Sequence, residues 1–591
     1  MDTHKLPDYD VAVVGGGASG IYSAWRMLLE GKEYSPKIKK WIAERGSLKI
    51  GVFEYSDRIG GRVLSAIPPG LPDVVCEIGG MRYVSSQILV KSLVENELDL
   101  SGHQQTVHSS ENICYLRGKR LKVSDLNNPE KLPYGLTDEE KDWLLPGQNN
   151  SADNFLGYAV EKIFPEIQHI VEKTHEDGYK GQTLREWLKE AWMKNPLGLN
   201  PEGIPLYKIG FWNLIAPVLS HEAYKIAVTT VGYDCLGFNT NSVDTICELY
   251  DFVPGVTYTL LDEGFDSMFW QMQDQFEKNN GEVLLNHRLE RFEEIALSDG
   301  SLGVRLDFEV KTGPDKSEEK KCTAREIVLA MPQRSLRLLE ASGPVLDPVR
   351  APHVQFLLNA VEPIHLYKMF IAYEEPWWEK AYKTEGNENP EVVGRALTDN
   401  PIRQCYYWGK EDGKKNTNAI VMVYNDGQNS DFWGGLRHIP LGPGDTQAAA
   451  PNMFFDRKKM PGSSKDEKKY RWTDRLRTNW EGRKAPHAMV MEMHRQLKEM
   501  HNIPDAPEPL EAAFMDWGDD PYGGAVHFWN PGYDSSQVLE NIIQPVKGFP
   551  CYICGEAYST NQTWVEGAFQ TAELVLRKFG IPEPKWLKDE K

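Results

Sequence analysis

The sequence predicts an α/β protein in which a parallel-sheet domain is assembled from discontinuous segments. That domain shares the chain with a mixed-sheet domain and a helical insertion. Three observations predict this. The stretch "YDVAVVGGGASGIYSAWRMLLEG" from Tyr9 reads as strand, glycine turn and helix, and "LKIGVFEY" supplies a second strand, which makes a βαβ unit and a parallel sheet. Near the other end, "GFPCYICGEA" and "TWVEGAFQTAELVLRKFG" again read as a strand followed by a helix. Between these pieces lie helix-like stretches such as "SADNFLGYAVEKIFPEI" and "TLREWLKEAW", set apart by prolines and glycines.

The elements follow in order. Tyr9 to Val14 is an apolar strand, and the helix after it carries apolar residues at helical spacing. The second strand ends near Glu54. The helical insertion runs from about Asp125 to Lys225. From Gly281, "GEVLLNHRLERFEEI" alternates as strands do, and "VRLDFEVKT" and "REIVLAMP" continue the sheet. A charge-dense stretch from Asp456 to about Arg483 reads as a solvated loop and helix. In the last strand, Cys551 and Cys554 sit in apolar surroundings that read as a buried strand rather than a redox pair.

Length and composition exclude several classes. A chain of 591 residues is expected to form two or three domains. Its formal charge is 66 − 86 = −20, which sets it against nucleic-acid phosphates. No run of 18 or more apolar residues occurs, so no membrane span is expected. No basic segment followed by an apolar run opens the sequence, so no secretory signal is expected. Eight scattered cysteines read as reduced thiols, and a cytoplasmic location is expected.

Gly15, Gly17 and Gly20 give G-x-G-x-x-G spacing after a strand and before a helix. The first glycine makes the turn, the second lets the backbone reach a pyrophosphate, and the third lets the helix pack closely. Ala18 and Ser19 open the helix whose N-terminus faces the negative charge. Glu54 ends the next strand, where a carboxylate accepts hydrogen bonds from ribose hydroxyls. These features predict a Rossmann-like dinucleotide site.

"DRIGGRV" follows within a few residues of Glu54, and here the sequence resembles the flavin-containing amine oxidase family. The resemblance implies FAD, with Gly60, Gly61 and Arg62 along its pyrophosphate. "CEIGGMRYVSS" is similar to the family's segment beside the flavin ring and offers Gly79, Gly80, Met81 and Arg82. Leu289 falls where a backbone group contacts adenine. "ICGEAY" resembles the strand and flavin contact, with Gly555 and Glu556 at the ribityl chain. "TWVEGAFQTA" resembles the helix that points at the flavin's pyrimidine side and brings Trp564, Val565 and Ala568 to it. The FAD-binding domain then comprises residues 1–67, 248–335 and 540–591. The substrate-binding domain takes 68–120, 231–247 and 336–539, and the helical domain 121–230.

Arg82 separates subgroups. Amine oxidases of this family usually carry small or hydroxyl residues in that segment, whereas L-amino-acid oxidases resemble "GGMR", with the arginine gripping the substrate carboxylate. Tyr424 matches the tyrosine giving that carboxylate a second hydrogen bond. Lys368, before "EEPWW", matches the lysine holding a water against the flavin's reactive nitrogen. Trp564 matches one aromatic wall of the site. Ala525 replaces the cysteine that tethers flavin in monoamine oxidases, so FAD is expected to be non-covalent; Val526 replaces the second aromatic wall. Thr563 stands where glycine is common. His221 and His527 are candidate pocket residues, and the spacing after His221 resembles bacterial L-tryptophan oxidases.

The implied activity is oxidation of an L-amino acid by dioxygen to a 2-oxo acid, ammonia and hydrogen peroxide, in what family resemblance makes a homodimer. A monoamine or polyamine oxidase shares every feature except the carboxylate clamp. An amino-acid flavin monooxygenase would use the same site.

Overall fold

The computed structural model describes residues 6–145, 150–176, 181–194, 197–251, 257–313, 316–388, 390–411, 417–437, 475–519 and 522–587. A seven-stranded sheet forms one layer of the molecule. Its parallel part runs Glu282–Leu284, Ile50–Phe53, Tyr9–Val14 and the C-terminal half of Lys316–Leu329, with Cys551–Ile553 pairing parallel to that last strand. The long Lys316–Leu329 strand also pairs antiparallel with Leu302–Gly313, which pairs with His287–Ala296. One strand therefore joins the nucleotide-binding half of the sheet to a meander.

Tyr9–Val14 is buried along its whole length, as a central parallel strand covered on both faces must be. Asp10 is the exception in kind. It is fully buried, but Arg325 donates to Oδ1 at 3.0 Å and the Lys49 N–H to Oδ2 at 2.9 Å, so its charge is paired. The helices Ala18–Tyr34 and Val565–Lys578 pack on each other over one face through Tyr22, Ala572 and Val575, with Phe569 stacked on Tyr22 at 4.4 Å. Two segments at opposite ends of the sequence close one core.

A second seven-stranded sheet runs Glu511–Asp516, Leu366–Tyr373, Ala419–Asp426, Gln404–Lys410, Arg395–Thr398, Ile113–Leu116 and Lys119–Lys122. It is antiparallel except where Arg395–Thr398 meets Ile113–Leu116. The helical region packs around its own apolar cluster, including Phe155, Ile163, Leu188, Phe211 and Ile226.

The structure moves three boundaries. The helical region reaches Asp251, because the Ser242–Asp251 helix places Val243, Ile246, Cys247 and Tyr250 in the helical cluster; residues 231–247 thus do not all belong with the substrate sheet. Residues just beyond 335 also shift: Leu336, Leu339, Leu346 and Val354 pack on the nucleotide-binding sheet. In the 68–120 segment, Tyr83, Val90 and Leu93 join the core of that same domain. Apolar burial, not chain order, sets these borders.

Most of the charge-dense stretch, up to residue 474, lies outside the described residues. Its last part is packed rather than solvated. Trp480 and Leu476 are buried, and Arg475 donates to Asp266 at 2.8 Å.

Candidate active site

One cavity runs between the two sheets and the helical region. At one end the glycine turn shapes it. Gly15 has φ +109, and a Cβ there would lie 2.3 Å from the Ala330 carbonyl oxygen, so only glycine fits. Gly17 caps the Ala18–Tyr34 helix without any side-chain hydrogen bond, and Gly17, Ala18 and Ser19 line the cavity. The helix thus offers unsatisfied N–H groups and its positive pole to an anion. The Glu54 carboxylate joins this wall, accepting from Gly16 N at 2.6 Å and Ser56 N at 2.8 Å. Tyr55, Arg288, Leu289 and Leu339 complete this end.

Gly61 and Arg62 follow along the wall. Arg62 Nη1 lies 3.0 Å from Glu556 Oε2 and donates to the Ala525 carbonyl at 2.7 Å. Glu556 also accepts from the His527 N–H at 2.9 Å, the His527 Nδ1–H at 2.9 Å and the Thr563 N–H at 2.8 Å. Burial alone would raise this carboxyl, but Arg62, His527 and the Thr563 N–H bring it down to about 2. It is an anion fixed in the wall, beside Gly555.

The strand register brings Lys368 opposite Tyr424, so the two share a face of the second sheet. Lys368 Nζ donates to the carbonyl oxygens of Gly79 at 2.6 Å and Glu77 at 3.2 Å. Burial pulls its ammonium down to about 7, against the opposing pull of Glu77. Burial likewise pushes the Glu77 carboxyl up to about 8. Two hydrogens of Nζ go to the carbonyls. A neutral Lys368 is left with a lone pair in the cavity wall, and a protonated one with a third N–H.

Arg82 is 7% exposed, and among the described residues no carboxylate lies within ion-pair distance of it. Tyrosines surround it instead. Its guanidinium carbon lies 4.1 Å from the Tyr258 ring centroid and 6.0 Å from that of Tyr406, and Nη1 donates to Gln105 Oε1 at 2.7 Å. Tyr406 lies between Arg82 and a second buried guanidinium, Arg395, whose ring contact is at 5.9 Å. Burial would raise the Tyr406 phenol, but Arg395 and Arg82 hold it below its ordinary value. Tyr233 bonds Tyr406 hydroxyl to hydroxyl at 3.3 Å and meets the Tyr424 ring edge-on at 5.4 Å. Tyr424 lines the cavity.

The structure thus gathers Gly79, Gly80, Met81, Arg82, Lys368 and Tyr424 on one stretch of wall, and Trp564, Val565 and Ala568 at the start of the last long helix on another. It places three expected residues elsewhere. Gly20 lies outside the lining; a Cβ there would be 1.8 Å from the Gly15 carbonyl oxygen, so Gly20 serves helix-to-turn packing. His221 is exposed at the start of the His221–Val231 helix, whose apolar face buries Ala223, Tyr224 and Ile226, and it stacks on Tyr224 and Trp212. His527 is fully buried behind the wall as a partner of Glu556, while its neighbours Val526 and Phe528 reach the cavity. Neither histidine lines the cavity.

Sequence reasoning missed Tyr233, Tyr258, Tyr406 and Arg395 around Arg82. Alternation along the Gln404–Lys410 strand puts Tyr406 on the face of Gln404, and the ladder pairs Gln404 with Tyr424 and Tyr406 with Arg395. A period-two pattern could have grouped Tyr406 with Gln404, but only the pairing register shows which face they join. Glu248 and Asp426, which also line the cavity, carried no sequence signal at all.

A dinucleotide fits this lining. A glycine turn that excludes any Cβ, an uncapped helix N-terminus and a carboxylate at the strand end mark one end, and a second uncapped N-terminus, that of Val565–Lys578, marks the other. Comparison with known proteins agrees. The sequence profile of the family described as flavin containing amine oxidoreductase matches residues 18–438. Achacin of Lissachatina fulica is 25% identical, over 96% of this chain and 93% of that protein. Aplysianin-A of Aplysia kurodai is also 25% identical, over 96% of this chain and 90% of its own. A solved structure of a redesigned putrescine oxidase shares the fold, with TM-score 0.55 at 16% identity, covering 96% of this chain and 98% of that one. With more than half of its length matched, the chain belongs to the flavin-containing amine oxidoreductase family, and FAD is its cofactor.

Proposed function

We propose that this protein is an L-amino-acid oxidase, converting L-amino acids to 2-oxo acids with release of ammonia and hydrogen peroxide. One observation carries the choice within the family. Arg82 is a buried guanidinium without a carboxylate partner among the described residues, and it lines the same cavity as Tyr424. A buried cation left unpaired is costly, and a substrate carboxylate supplies the missing charge in bidentate form. Amines without a carboxylate would leave that cost uncompensated.

FAD, held along Gly15, Gly17, Arg62 and Glu556, would supply the two-electron oxidation of the substrate's Cα–N bond, with dioxygen and two protons yielding hydrogen peroxide. The protein's own residues prepare this. Arg82 and Tyr424 hold the carboxylate, which fixes the direction of the Cα–H bond. Lys368, neutral above about pH 7, takes the proton of the substrate ammonium at Nζ. Trp564 closes one side of the site. Water hydrolyses the released imino acid to the 2-oxo acid and ammonia.

Ala525 in the lining supports non-covalent FAD, since it offers no thiol for a tether. Eight unpaired, buried cysteines support a reducing, cytoplasmic compartment. A homodimer completes the reading, and light scattering of the holoenzyme tests it. The decisive experiment is a peroxide assay over the twenty L-amino acids beside tyramine and spermine. Oxidation confined to the two amines would overturn the proposal.

A further inference from the structure

Glu248 stands apart from the other acids of the cavity. Asp426 is occupied, accepting the backbone N–H groups of Asp234 at 3.0 Å and Cys235 at 2.9 Å. Glu556 is paired with Arg62. Glu248 is 8% exposed, lines the cavity, and among the described residues has no cationic side chain within ion-pair distance. Arg185, nearby, is bonded to Asp244 at 3.1 Å. Burial pushes the Glu248 carboxyl up to about 8, and Asp251 on the same helix adds to the rise. The group is short of a positive charge.

A second feature aims it. Thr563 Oγ1 donates to Glu248 Oε1 at 3.3 Å, and Thr563 holds φ +74. A β-branched residue in the left-handed region is strained, and glycine would relax it. The strain is retained at the residue that joins Glu248 to Trp564, which marks the spot as functional rather than incidental. Leu236, Val526 and Phe528 line the same cavity and suit an aliphatic stem.

Resting on the oxidase reading above, we propose that Glu248 selects L-amino acids whose side chains end in a cation, an amine or guanidinium at the end of an aliphatic stem. Arg82 and Glu248 then hold the two ends of the substrate, an acid and a base.

The test compares kcat/KM for L-lysine and L-norleucine, which share a four-carbon stem, in wild-type holoenzyme and in Glu248→Gln. Lysine is expected to be favoured at least about tenfold by the wild type, and the ratio to fall about thirtyfold or more in the variant. Equal use of the two substrates by the wild type, or a lysine preference that survives in Glu248→Gln, overturns the inference and leaves the oxidase reading standing. Absence of peroxide from every L-amino acid overturns both. Should Glu248→Gln lose FAD, Glu248→Asp replaces it. It keeps the charge one methylene further back and is expected to shift preference from lysine toward the longer L-arginine; an unchanged preference overturns the inference.

Discussion

Arg62 Nη1 lies 3.0 Å from Glu556 Oε2, joining the "GGR" segment near one end of the chain to the "GEA" strand end near the other. The pair sits in the cavity wall, with His527 and the Thr563 N–H completing the carboxylate's bonds. A depressed carboxyl makes this junction a source of stability that depends on pH in a definite direction.

Glu556 is ionised in the fold down to about pH 2, against an ordinary value of 4.5. Its contribution is therefore fully present above about pH 4.5 and is lost as pH falls toward 2. Linkage puts it at roughly 3 kcal/mol. Glu556→Gln is expected to lower Tm near neutral pH, with the gap to wild type narrowing below about pH 4.5. Calorimetry of both proteins across that range checks it, and a gap that widens on acidification contradicts the assignment.

Arg82→Ala removes the guanidinium proposed to hold the substrate carboxylate. KM for L-amino acids should rise about a hundredfold or more while FAD stays bound, since truncating one side of a buried charged pair costs roughly 3–5 kcal/mol. Arg82→Lys should recover part of this, lacking the bidentate fork. Tyr424→Phe should cost about tenfold in kcat/KM, the loss of one hydrogen bond to a charged group. Steady-state peroxide assays with the flavin absorbance as control decide.

Lys368 is expected to show itself in the pH profile. Its ammonium is lowered to about 7 by burial, so Nζ is protonated below that pH and free to accept a proton above it. kcat/KM should rise through about pH 7 in the wild type, and this limb should vanish in Lys368→Met, with at least about a tenfold loss above it. A variant that keeps the same limb assigns the proton to another group.

Gly15→Ala places a Cβ 2.3 Å from the Ala330 carbonyl oxygen at φ +109. The variant is expected to be isolated without FAD and with a lowered Tm, at a cost of several kcal/mol. The ratio of flavin to protein absorbance and a thermal melt report both effects.

How much of this was written in the sequence depends on the range over which each signal acts. The strand Tyr9–Val14 and the helix from Ala18 were legible because apolar runs and glycine spacing act over a few residues. So were the cavity positions of Arg62, Arg82, Lys368, Tyr424, Glu556 and Trp564, which lie in short recognisable segments. His221 misled, because helix phase turns it to solvent while its neighbours Ala223 and Tyr224 face the core. His527 misled by one position of strand alternation: Val526 and Phe528 line the cavity, and the histidine between them turns to Glu556.

By itself the sequence determined the nucleotide cradle, the family and the place of the Arg82 guanidinium beside the cavity, since each is carried by residues close together in the chain. Only the tertiary structure decided what surrounds them. Thr563 and Glu248 meet across 315 positions, and Tyr406 comes between Arg82 and Arg395 through strand pairing. Such meetings depend on sheet register and on which helix face is buried, and both are settled by packing the whole core rather than by local propensity.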